Sequence, residues 1–202
     1  ARLRDEGAAA GSPLRDLAGR TYLGNLIAFG FAFAVMMAYI SASPFVYQTM
    51  MGLSSAEYGM MFGVNAFGLL LMSALSARWT ARAEPGSLAR AGLLVIVVSS
   101  VVVWALAVSP APAGWLALPL FTTVAAMGLI FGNTTALALS AAPRAAGTAS
   151  AALGATQFLL AALVSPLVSI GGEHTAEPLA VVMVVASVLA CAGFALARPA
   201  SE

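Results

Sequence analysis

Apolar residues fill this chain in long blocks that polar residues interrupt at only a few places. Charge-free runs cover 21–56, 58–77, 91–143, 145–172 and 178–197. Crossing ~30 Å of hydrocarbon takes ~20 mostly apolar residues at ~1.5 Å each. The blocks therefore predict several membrane-spanning helices, and the interruptions number them. Span one runs over about 22–45, with Pro44 near its end and the connection VYQTMMGLSS behind it. Ser54-Ser55-Ala56-Glu57 fits a capping box, which places the start of span two (58–77). RWTARAEPGSLAR ends that span, and span three covers 91–108. The run 91–143 is too long for one helix, and SPAPAG at 109–114 breaks it with two prolines and a glycine. Trp115 stands where an interfacial aromatic belongs and opens span four (115–140). AAPRA leads to span five (146–170), and GGEHTAE to span six (178–197). The fold class expected is an all-α membrane protein, a six-helix bundle over 21–198. Residues 1–20 read as a cytoplasmic linker and 199–202 as a cytoplasmic tail. The sequence does not begin with methionine, and the chain is expected to continue upstream.

The spans differ in kind. Three and six are rich in Val and Leu and hold no amide, as suits helices facing lipid, whereas one, two, four and five carry Asn25, Asn65, Asn133 and Gln157. An unsatisfied polar group in lipid costs several kcal/mol, so these side chains face protein or water. Helical spacing puts Asn25, Phe29, Ala32, Met36, Tyr39 and Ser43 on one face of span one, and Met61, Asn65, Gly68 and Met72 on one face of span two. Thr122, Ala126, Leu129, Asn133, Ala136 and Ser140 share a face in span four. Gly147, Ser150, Gly154, Gln157, Ala161 and Ser165 do so in span five. Gly147, Ser150 and Gly154 read as a helix-packing stripe. Asn133 and Gln157 read as lining a substrate cavity, with Met36, Tyr39, Met61, Asn65 and Thr122 set beside them. For Tyr39 and Asn65 plain packing stays equally open.

Composition and charge then orient the bundle. Of the 202 residues 61% are hydrophobic and 8% charged, against about 25% charged in a soluble domain. All nine basic residues are arginine, a hint of a GC-rich bacterial genome. Six spans place Arg2, Arg4, Arg15, Arg20, Arg78, Arg82, Arg90, Arg144 and Arg198 on one side, and Glu57, Glu173, His174 and Glu177 on the other. By the positive-inside rule both termini are cytoplasmic, and the expected location is a bacterial inner membrane. A net charge of +1 argues against a nucleic-acid partner. Cys191 lies in an apolar run and reads as a buried thiol. No cofactor or catalytic residue is expected: the one histidine sits in a loop and no acid lies within a span. Glu173, His174 and Glu177 read as a solvated loop rather than a metal site.

The order polar–polar–apolar, repeated, suggests two three-helix units of inverted topology. AYISASPFVYQ, GLSSAEYGMMFGVNAFGLLL with SARWTAR, FGNTTALALS, PRAAGTASAALGATQFLLAALVSPLV and GGEHTA then resemble, in order, the second half of a Bcr/CflA-type drug resistance transporter of the major facilitator superfamily. The resemblance implies a twelve-helix fold made of inverted repeats, with this chain as its C-terminal half and an N-terminal six-helix half as its partner. It implies alternating-access export of drugs, driven by inward proton flow, and the Met, Phe and Tyr content with a few amides suits small amphipathic ones. The coupling acid would lie in the other half, since no span here holds Asp or Glu. Two devices bear on gating. In YISASPFVYQ, Pro44 removes a backbone donor, and Ser41 and Ser43 can bond the freed carbonyls, giving a bend at the outer mouth or simply an interfacial helix end. Arg78 and Arg82, four apart, would share a helix face; the resemblance implies that they hold the inward-closed state, and plain anchoring is the other reading. Export of another small organic solute, and a non-transporting six-span scaffold or dimer, are the competing functions.

Overall fold

The computed structural model describes residues 13–197. Arg2, Arg4, Arg198 and most of the linker and tail readings lie outside the described residues. A short turn, α1 (Pro13–Leu17), precedes six helices long and apolar enough to cross a membrane. These are α2 (Arg20–Pro44), α3 (Ser55–Trp79), α4 (Pro85–Ala107), α5 (Ala117–Ala141), α6 (Ala146–Leu167) and α7 (Glu177–Leu196). Each expected span has its helix. The capping box is formed: Ser54 Oγ accepts from the Glu57 amide at 3.3 Å, and the Ser54 amide donates to the Glu57 carboxylate at 2.8 Å.

Among the boundaries that differ from expectation, two have clear local reasons. α4 begins at Pro85, inside the stretch read as loop, because a proline fits the first helical turn, where its missing N–H has no intrahelical role. α3 stops at Trp79, where the Thr80 hydroxyl bonds Ala77 O at 2.8 Å and the amides of Arg82 and Ala83 both turn back onto Trp79 O. Arg78 is therefore helical while Arg82 sits in the turn, so the two arginines do not share a helix face. Pro44 also fails to end its helix. The chain continues through a wider π-helical turn, Phe45–Met50, and stops only at Gly52, whose φ of 73° lies in the left-handed region.

The bundle is built from two interleaved repeats, α2–α4 and α5–α7. Its large contacts are α2 with α7, α4 with α5, α3 with α5, α2 with α6, α2 with α5 and α4 with α7. Exchanging α2 for α5, α3 for α6 and α4 for α7 maps this set onto itself. Within a repeat, consecutive helices make few close backbone approaches. Glycines allow the tight crossings. A Cβ on Gly128 would stand 2.5 Å from Ser73 N on α3, and one on Gly92 would stand 3.0 Å from Ala126 O on α5. The stripe expected to pack does not: a Cβ on Gly147 or Gly154 would meet nothing within 4 Å, and Ser150 is exposed. It occupies the side of α6 turned away from α2. Only 17% of the α3 span and 11% of the α6 span are buried, against 39–56% elsewhere. The polar helices of each repeat's middle are thus the barest, while the Val-rich α4 and α7 each bury one face and expose another, as at Val98 and Val185.

Candidate functional site

The densest polar cluster joins α2 to α3. Asn65 of α3 is buried and donates both amide protons, to Tyr39 Oη at 2.6 Å and to Tyr47 Oη at 3.1 Å. Eight residues of α-helix advance ~800°, about 80° past two full turns. Tyr47 would then sit at the far edge of the stripe that carries Tyr39. The π turn takes in about one extra residue, ~100° of phase, and returns Tyr47 to the face of Tyr39. Ser43 Oγ donates to Ile40 O at 3.0 Å, the carbonyl that Pro44 leaves without its donor, and lies 3.0 Å from Tyr58 Oη. Phe62 stacks on Tyr39 with ring centroids 6.1 Å apart. Tyr39 and Asn65 thus meet as one hydrogen-bonded unit, with Ser43 beside them.

The remaining residues go elsewhere. Asn133 is buried, and its Nδ2 donates to Ser76 Oγ at 2.8 Å and Leu129 O at 2.7 Å, pinning α5 to α3 nearer the arginine-bearing end. Thr122 faces α4, not the polar helices: its hydroxyl lies 2.9 Å from Ser99 Oγ, because its position on α5 falls on the flank that packs against α4. Ser41 pairs with Ser165 of α6 at 3.0 Å instead of a carbonyl freed by Pro44. Asn25 donates to Thr21 O at 2.8 Å, and its buried Oδ1 has no partner among the described residues. Met36 and Met61 are half-buried and pack against the core. Gln157, half-buried at the midpoint of α6, makes no hydrogen bond among the described residues. Between α2 and α5, Phe131 meets Phe29 and Phe33 with centroids 5.7 and 5.9 Å apart. The arrangement therefore splits in two. Tyr39, Asn65 and Asn133 hold helices together, and Gln157 leaves an amide free on an open face.

Sequence reasoning missed Tyr47, Tyr58 and Ser76. Ser76 was within reach, since it extends the Asn65–Gly68–Met72 stripe by one turn. Tyr47 lies one turn beyond Ser43, but in the polar connection after Pro44 it reads as meeting the aqueous interface, whereas the structure buries it.

The family description Major Facilitator Superfamily matches residues 2–166. The uncharacterized MFS-type transporter YdgK of Bacillus subtilis is 31% identical over 184 residues, covering 91% of this chain and 45% of the relative. The bicyclomycin resistance protein homolog of Haemophilus influenzae is 28% identical over 173 residues, covering 83% and 43%. The multidrug transporter MdfA of Escherichia coli is 31% identical over 146 residues, covering 69% and 34%. The chain spans less than half the length of the curated relatives it matches.

Proposed function

This chain belongs to the Major Facilitator Superfamily, and on that footing we propose that it forms the C-terminal half of a twelve-helix exporter of small amphipathic drugs. The observation that carries the reading is the pair of bare middle helices. α3 and α6 flank the central α2 and α5 and bury the least of themselves, and α6 holds out the unpartnered Gln157 amide. Faces this bare and largely apolar suit a second half that closes against them and encloses a path around the Gln157 amide. Met36 and Met61 at its margin offer adaptable apolar contact, which fits poorly defined ligands. Tyr39, Asn65 and Asn133 border the path as its fixed frame, and the Pro44 turn, held by Ser43, is its hinge at the arginine-poor end. Arg78 and Arg82 lie exposed at the opposite end, suited to holding that end closed. The relatives that support drugs as the cargo are the bicyclomycin resistance homolog and the multidrug transporter. Among the described residues no Asp or Glu lies at membrane depth. Antiport would then use an acid of the other half, in a bacterial inner membrane with the arginine end in the cytoplasm.

The test is drug accumulation in cells expressing the full-length gene. Loss of one substrate hydrogen bond is worth ~1 kcal/mol. Gln157→Ala should therefore weaken export about fivefold at unchanged expression, and Pro44→Ala should slow it by stiffening the turn. Full resistance in both variants would remove Gln157 from the path and Pro44 from the hinge.

A further inference from the structure

A hollow opens away from the polar cluster. It is a groove of about 650 Å³ between α6 and α7, with Phe31 and Ala34 of α2 as its floor. Leu163, Val181 and Val185 form its walls, and all three are substantially exposed. α6 and α7 make few close approaches to each other, so the cleft between them is open along its length. Its lining carries one charged residue, Glu177, at the first position of α7.

Depth and charge together define an occupant. From Glu177 to Ala186 the groove follows nine residues of helix, about 13.5 Å. One leaflet of a ~30 Å hydrocarbon core is about 15 Å deep. The groove thus runs from one interface to near the bilayer midplane, with its carboxylate at headgroup level. Among the described residues every arginine sits at the other end of the bundle. Glu57, Glu173, His174 and Glu177 are the ionisable groups at this one. An anionic headgroup would meet carboxylates without a cation, whereas a headgroup bearing an ammonium would meet a free Glu177. We propose that this groove is a binding site for one acyl chain of an ethanolamine phospholipid, whose ammonium pairs with Glu177. Neither Gln157 nor the Tyr39–Asn65 cluster lines the site.

Photo-crosslinking in nanodiscs tests it with the full-length protein. Two probes carry the same diazirine acyl chain, one with an ethanolamine and one with a glycerol headgroup. The ethanolamine probe should label peptides around Leu163 and Val185 about fivefold more than the glycerol probe, the ratio set by one charge near the membrane surface. Glu177→Gln should bring the ratio to about one while groove labelling persists. Val185→Trp, which fills the cleft, should abolish labelling there and leave drug export intact. Equal labelling by both probes in the unaltered protein would overturn the proposal. So would a groove signal no stronger than that at Val98 on the plain face of α4, or crosslinks from Leu163 to the other half of the transporter in place of lipid.

Discussion

Asn65 shows how one side chain sets local order. Its amide is the shared donor for two tyrosine hydroxyls buried in an apolar bundle. Replacing it takes the amide donor from both buried hydroxyls, and a buried polar group that loses a partner costs more than the bond itself gains. Asn65→Leu should therefore lower stability by about 1–3 kcal/mol, seen as a lower melting temperature in detergent. Adding Tyr39→Phe and Tyr47→Phe should restore part of the loss, because removing both sides of a hydrogen bond costs less than removing one. An unchanged melting temperature in the single variant would mean that the cluster holds nothing. The amide itself was visible in the sequence as a polar residue at membrane depth. Its second partner was not, since Tyr47 follows Pro44 in a polar stretch that reads as a connection and not as helix.

Among the helices, contact is decided by where the backbone can approach. Gly128 and Gly132 lie one turn apart on α5, yet only Gly128 faces α3 at backbone distance. Gly128→Ala would place a methyl against Ser73 N and Leu69 O, atoms that no rotamer change can move. Overpacking of that kind costs about 1–3 kcal/mol. Gly132→Ala meets open space and should be neutral or slightly stabilising, since alanine is the better helix former by up to ~1 kcal/mol. Thermal denaturation of the two variants side by side checks both. The sequence reading found all six helices because apolar length and charged breaks report burial in lipid directly. It misplaced the packing stripe on α6 because small residues mark any close approach, including one to a partner outside the chain. Only the fold distinguishes Gly128, which is used, from Gly147 and Gly154, which face open space. Thr122 went astray likewise: its period put it with Asn133, and its position on the α4 flank of α5 overrode the period.

Over the whole molecule, charge and topology coincide. Alternating helices bring Arg15, Arg20, Arg78, Arg82, Arg90 and Arg144 to one end and leave the acidic loop 171–177 at the other. In a Cys191→Ala background, Ser87→Cys and His174→Cys sample the two ends. On intact cells an impermeant maleimide should label His174→Cys and spare Ser87→Cys; the reverse pattern would invert the assignment. The interleaving of the two repeats has a further outcome for how the protein is made. Each helix enters the membrane as translation delivers it, but α2 finds its most extensive neighbour only in α7, the last to arrive. α3 and α4 gain their large contacts once α5 is inserted, while α2 completes its packing only when the ribosome has nearly finished the described chain. A transcript cut short before α7 would yield helices gathered around α5 with one side of α2 and of α4 left uncovered.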